Sequence, residues 1–256
     1  MVINKEDHLG KRARRALRAQ DEVIQHRHTD NRLNIVRPEQ WHRPRQKIRL
    51  LPKNVAQEAY IEALEDPTVD IVIAMGHAGS GKTYLATLYA IQQLREGSVG
   101  KIVVTRPNIA VDDKDIGFLP GDIMKKMAPW TKPVLDVFEE HYGAREVLRL
   151  IEDNTIELVP MAYLRGRTFK NAIIILDEAQ NTTPTSMLSA LTRIGESSKM
   201  IVTGDIRQSD RGQSNGLSDL ASRIGHSPRM RLCRFGKEHV ERHPVITDIL
   251  KIYGEE

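Results

Sequence analysis

The sequence predicts an α/β fold, a mostly parallel sheet with helices on both faces, preceded by a basic helical and linker segment. Three observations predict it. Short apolar runs rich in β-branched residues recur at 70–75, 101–105, 171–177 and 199–205, the mark of strands buried on both faces. Segments with helical spacing of apolar residues lie between them, and strands alternating with helices specify a parallel sheet. Hydrophobic residues make up 40% of the 256, enough for one substantial core.

In chain order, residues 1–28 read as a polar helix, because KRARRALRAQDEVIQ is rich in helix formers and poor in apolar residues. Residues 29–52 carry Pro38, Pro44 and Pro52 among many charges, with Trp41 as the large apolar anchor, and read as a linker. The expected division is therefore a basic segment 1–49 and a domain 50–256. In the domain, VAQEAYIEAL (55–64) has a helical period, DIVIAM (70–75) is a buried strand, 81–95 a helix and KIVVT (101–105) a second strand. Residues 106–121, with Pro107, Gly117, Pro120 and Gly121, read as a long loop, and 122–151 as mostly helical. TIELVP (155–160) is an edge strand. NAIIILD (171–177) and KMIVTGD (199–205) are buried strands ending in an acid, with a helix at 184–194 between them. RMRLCRF (229–235) is a last strand and 244–253 a last helix.

Charge is unevenly spread. Residues 1–50 carry 13 Lys/Arg against 6 Asp/Glu, while the other 206 carry 25 against 28. Such a basic segment suits an anionic partner, nucleic acid above all, or is a solvated tail. The single cysteine, Cys233, leaves no intrachain disulfide and fits a reducing cytoplasm. MVINKEDHLGKRARR has no apolar stretch behind its charges, so no secretory signal is expected, and no apolar run is long enough for a membrane span. His8, His26 and His28 match no metal-site spacing.

The chemistry concentrates in three places. Gly76-His77-Ala78-Gly79-Ser80-Gly81-Lys82-Thr83 fits G-x-x-x-x-G-K-[ST] between a strand and a helix, as the pattern requires. Glycines let backbone N–H groups turn inward around a triphosphate, and the following helix adds the positive end of its dipole. Lys82 is expected to reach the β- and γ-phosphates of ATP and Thr83 to place its hydroxyl on Mg²⁺. Tyr84 is counted with the ATP-binding residues. Asp177 and Glu178 emerge from an apolar strand at its carboxyl end, where open α/β sheets bind ligands. Asp177 suits Mg²⁺, and Glu178 can polarise an attacking water. Thr203-Gly204-Asp205-Ile206-Arg207-Gln208 ends another strand at the same edge. Gln208 could touch the γ-phosphate or orient the water, and Asp205 could cap the next turn.

At these residues the sequence resembles the PhoH-like ATPase family, over about residues 50–254. AMGHAGSGKT (74–83), RPNIAVDDKDIGFLPGDIMKKMAPWTKPVLDVF (106–138), MAYLRGRTFKNAIIILDEAQNTT (161–183) and VTGDIRQSD (202–210) carry the resemblance, LPGD and LRGRTF being its more specific marks. The resemblance implies a RecA-like P-loop NTPase fold akin to the first such domain of superfamily 1 helicases. By that kinship Gln57 would read adenine, Asp177-Glu178-Ala179-Gln180 would be the helicase D-E-x-Q box, and Gly204-Asp205 with Gln208 the G-D-x-x-Q motif. Arg106, Arg165 and Arg167 fall where helicases contact single-stranded nucleic acid.

The resulting expectation is a cytoplasmic, Mg²⁺-dependent ATPase of a bacterial or phage-infected cell, coupled to RNA or single-stranded DNA, with helicase-like action in view. Length for one RecA-like domain implies that the arginine finger comes from a neighbouring subunit, hence a homo-oligomeric ring, most simply a hexamer. Arg242 is the first candidate finger, with Arg165 and Arg167 as alternatives. The plain reading of each is a surface ion pair. Two other classes compete: a nucleotide-gated binding or assembly module with incidental turnover, and a small-molecule kinase, against which Glu178 beside Asp177 argues.

Overall fold

The computed structural model describes residues 48–107, 123–210, 214–225 and 227–241, with 245, 249, 252 and 253. The chain divides into Met1–Gln46 and Lys47–Glu256, and the described residues belong to the second unit. The expected polar helix 1–28, most of the linker and of the loop 106–121, Trp41, Arg242 and most of the closing helix 244–253 lie outside the described residues.

Six strands form one sheet: β1 (Ile71–Gly76), β2 (Lys101–Arg106), β3 (Ile156–Pro160), β4 (Ala172–Leu176), β5 (Lys199–Gly204) and β6 (Met230–Phe235). Their order is β3-β2-β4-β5-β1-β6, and every pairing is parallel. The architecture is thus the α/β layering expected from the sequence, a parallel sheet between helices. Because all strands run one way, their carboxyl ends share one edge, and β1 and β4 stand on either side of β5. Any residue that follows a strand is delivered to that edge.

Strand alternation fills two cores. Val72, Ala74, Ile102, Val104, Ile173, Ile175 and Ile201 face one layer. It contains Tyr60, Leu64, Leu85, Ile91 and Phe138 from α1 (Val55–Glu65), α2 (Lys82–Arg95) and α3 (Ile123–Tyr142) and Val147 from α4 (Ala144–Glu152). Ile73, Val103, Ile174, Leu176, Met200 and Val202 face the other, against Met187 and Ala190 of α5 (Pro184–Leu191) and Leu217 and Leu220 of α6 (Gly216–Arg223). All five residues of β4 are buried, which explains the unbroken apolar run from Ile173 to Leu176.

The stretch 122–151, expected to be mostly helical, is two helices. Gly143 separates them at φ 79°, a left-handed conformation that glycine adopts without a Cβ penalty. The helix expected at 184–194 stops at Leu191. Its start is fixed by a capping box: Ser186 N donates to Thr183 Oγ1 at 3.1 Å, and Thr183 N to Ser186 Oγ at 2.9 Å. Pro184 occupies the first turn, where its missing N–H costs nothing.

Candidate nucleotide site

The loop after β1 is shaped by three glycines. Gly76 (φ 143°), Gly79 (φ 82°) and Gly81 (φ 83°) all take positive φ. At Gly76 a Cβ would stand 2.0 Å from the Phe235 carbonyl oxygen, so the close approach of β6 to the loop allows no side chain there. Gly81 is the N-cap of α2, which aims the first turn of a 14-residue helix, and its partial positive charge, at the loop.

Lys82 opens α2 and is buried. Its ammonium donates to Gly76 O (2.8 Å), His77 O (2.6 Å) and Ser80 Oγ (3.2 Å), so it lies across the mouth of the loop. Thr83 Oγ1 donates to Asp177 Oδ1 at 2.8 Å, across 94 residues of sequence. Thr203 Oγ1 donates to the same oxygen at 2.6 Å, and Asp177 N donates to Thr105 O at 3.0 Å. The structure therefore brings Lys82, Thr83 and Asp177 together from the ends of β1 and β4. Among the described residues no cluster of three or more His, Cys, Asp or Glu could hold a metal ion. The donors beside the loop are instead a hydroxyl and a carboxylate in mutual contact. Hard oxygens of this kind fit Mg²⁺, which keeps several waters and takes one or two protein ligands plus phosphate oxygens.

The loop is braced from three other stretches. Gln57 Nε2 donates to Ser80 O at 3.1 Å, while its Oε1 accepts from Lys53 N at 2.9 Å. Gln57 thus supports the loop itself, with one N–H and one lone pair of its amide not engaged in these two bonds. Ala78 N donates to Asp205 Oδ2 at 3.0 Å, and Asp205 Oδ1 accepts from Arg207 N at 3.1 Å. Asp205 is thus both the cap foreseen for the turn 206–208 and a clamp on the loop. Glu241 N donates to Gly79 O at 2.9 Å.

His77 sits among charges. Its pKa is lowered by burial first and then by Arg207, opposed by Asp205 and aided by Lys237 and Lys82, so these surroundings favour the neutral imidazole. Tyr84 is 46% exposed beside the loop, and Gln208 is exposed on the turn Ile206–Gln208.

Glu178 takes φ 55° and ψ 38°, a left-handed pair that costs a non-glycine residue about 1–2 kcal/mol. Its carboxylate pairs with Arg106 Nη2 at 3.0 Å and accepts from Gln180 Nε2 at 2.5 Å. Gln180 Oε1 in turn accepts from Asp205 N at 3.1 Å. The three expected nucleic-acid arginines have different surroundings. Arg106 pairs with Glu178, and Arg165 is exposed. Arg167 pairs with Glu157 at 2.6 Å and stacks 4.5 Å over Phe169.

Sequence reasoning assigned no role to Thr203, Gln180 or the backbone of Glu241. Thr203 carried a signal, a polar side chain at the end of an apolar strand next to Gly204-Asp205. Gln180 carried another, its place in the D-E-x-Q box. Glu241 contributes through its N–H, which no residue type announces.

The PhoH-like protein family matches residues 49–254. The chain belongs to the PhoH-like family. Among PhoH-like relatives, "Protein PhoH" of Escherichia coli (strain K12) is 42% identical over 209 residues, covering 80% of this chain and 58% of that one. The "PhoH-like protein" of Bacillus subtilis (strain 168) is 39% identical over 206 residues, covering 80% and 64%. The chain thus spans about three fifths of the length of these curated relatives. A solved structure, the "Sulfolobus solfataricus SWI2/SNF2 ATPase core in complex with dsDNA", aligns over 75% of this chain and 45% of that one at 15% identity and TM-score 0.43. Among the described residues no helix is long and apolar enough to cross a membrane.

Proposed function

We propose that the domain binds ATP with Mg²⁺ and hydrolyses it to ADP and phosphate, as a subunit of a cytoplasmic ring, most simply a hexamer, coupled to RNA or single-stranded DNA. The observation that carries the reading is the contact of Thr83 with Asp177 at 2.8 Å beside the Lys82 ammonium. A phosphate loop that meets an acid-bearing strand end has both halves of a metal–triphosphate site.

In this reading Gly76 to Gly81 wrap the phosphates through backbone N–H groups, and the N-terminus of α2 adds its dipole. Lys82 moves its ammonium from the loop carbonyls to the β- and γ-phosphates. Thr83 and Asp177 would hold Mg²⁺, whose chemistry there would be to neutralise charge on the terminal phosphates. Glu178 accepts the proton of the attacking water and Gln208 orients that water. Gln57 and Tyr84 flank the base and sugar end. Arg242 of a neighbouring subunit supplies the finger, and Arg106 and Arg165, with the basic residues of 1–49, meet the strand. The family membership and the parallel sheet that delivers every strand end to one edge support this assignment.

Phosphate release tests it. Lys82→Ala should turn over at least about a hundredfold slower than the wild type, the scale of losing one preorganised charge at a developing anion. Asp177→Asn should need far more Mg²⁺ for half-maximal rate. Equal rates in wild type and Lys82→Ala would refute the enzymatic reading.

A further inference from the structure

We propose that Arg106 is a strand-responsive latch on Glu178: its guanidinium holds the carboxylate, and the phosphate backbone of a single-stranded nucleic acid on the rim formed by Arg106, Tyr163 and Arg165 draws it away. The proposal deepens the ATPase reading and rests on it.

The latch is built at the two oxygens of one carboxylate. Arg106 Nη2 lies 3.0 Å from Glu178 Oε1. Gln180 Nε2 donates to Oε2 at 2.5 Å, and Gln180 is buried and tied through its own oxygen to Asp205 N. One oxygen of Glu178 is therefore anchored to the interior and the other to a cation on the rim. A water presenting its proton to Glu178 must share lone pairs already directed at these donors. Removing Arg106 opens one oxygen while Gln180 keeps the carboxylate on station. The ion pair is breakable, since its side chains remain 24% and 32% exposed, and pairs in that setting are weak.

The rim supplies the competitor. Arg106 ends β2 in register with Pro160, the last residue of edge strand β3. The chain then enters the turn Met161–Leu164, where Tyr163 is 61% exposed and Arg165 follows, also exposed. Arg167 is committed to Glu157 and Phe169 and takes no part. Arg106 at the end of β2, with Tyr163 and Arg165 shortly after the paired end of β3, offers two cations and an open ring at one sheet edge, groups that suit a single strand, whose phosphates take the cations and whose bases stack on rings. A polymer contacts several such groups at once and releases counterions, so it can win Arg106 where one carboxylate cannot hold it.

The test is the steady-state ATPase rate with and without poly(U) and poly(dT), in wild type, Arg106→Ala, Arg106→Lys and Tyr163→Ala. Lys82→Ala and Glu178→Gln set the background, and fluorescence anisotropy of a labelled strand reads binding. Arg106→Ala should raise the strand-free rate roughly two- to fivefold, the range a weak pair allows, and lose further stimulation by strand. Arg106→Lys should lie between, and Tyr163→Ala should need more strand for the same stimulation. A fall of Arg106→Ala to the Glu178→Gln background, or an unchanged stimulation ratio, would overturn the latch. Equal stimulation by heparin would overturn the nucleic-acid assignment. Should Arg106→Ala fail to fold, an Arg106→Lys variant with wild-type stimulation overturns the proposal equally. Equal rates in wild type and Lys82→Ala would instead remove the ATPase reading beneath it.

Discussion

Cys233 shows how one residue's surroundings set its chemistry. It lies on β6, and burial pushes its thiol up to about 11, with Arg231 pulling the other way. The thiolate is the reactive form, and a rise of about two units from the ordinary value leaves roughly a hundredth of the usual thiolate at a given pH. Alkylation by iodoacetamide at pH 8 should therefore run at least about tenfold slower in the folded protein than in urea. The chain has a single cysteine, so mass spectrometry reads the rate directly. Lys199 is a second case. It is buried, with its ammonium donating to Leu64 O (2.6 Å) and Asp66 O (2.8 Å) at the end of α1, so a charge inside a strand satisfies a helix terminus.

At the scale of elements, α5 depends on its cap. Thr183→Ala removes the hydroxyl that accepts from Ser186 N and should cost about 1 kcal/mol, seen as a lower urea midpoint with unchanged slope. The sheet was legible because its inner strands are nearly pure β-branched runs, as in AIIIL of β4 and KIVVTR of β2. β6 was less so, since its sequence mixes Met230, Leu232 and Phe235 with Arg231, Cys233 and Arg234 on the edge of the sheet. The break at Gly143 was hidden because helical periodicity continues on both sides of it. In the site, the loop announced itself through glycine spacing, and Asp177 through its place after a strand. The contacts of Glu178 with Arg106 and of Ala78 with Asp205 were not readable, because each joins segments that only the sheet brings together. The ion pair of Arg167 with Glu157 on β3 was hidden for the same reason, since the helicase likeness that singled out Arg167 says nothing of its neighbours in space.

For the whole molecule, the proposed ring makes a demand that no isolated subunit can meet. If Arg242 acts on a neighbour's nucleotide, Arg242→Ala and Lys82→Ala should each be nearly inactive alone. Mixed at equal amounts they should regain a substantial fraction of wild-type turnover, because a Lys82→Ala subunit lends its arginine to an intact loop next door. Phosphate release from mixtures of varied ratio checks this, and mixtures no better than the separate variants would rule out the shared site.

The bonds that brace the phosphate loop, from Gln57, Asp205 and Glu241, bear on its thermodynamics. A loop already fixed from three directions has little conformational freedom left to surrender when a ligand arrives. Nucleotide capture then leans on contacts formed rather than on order imposed, and slackening any one support would shorten the lifetime of the complex without touching the ligand.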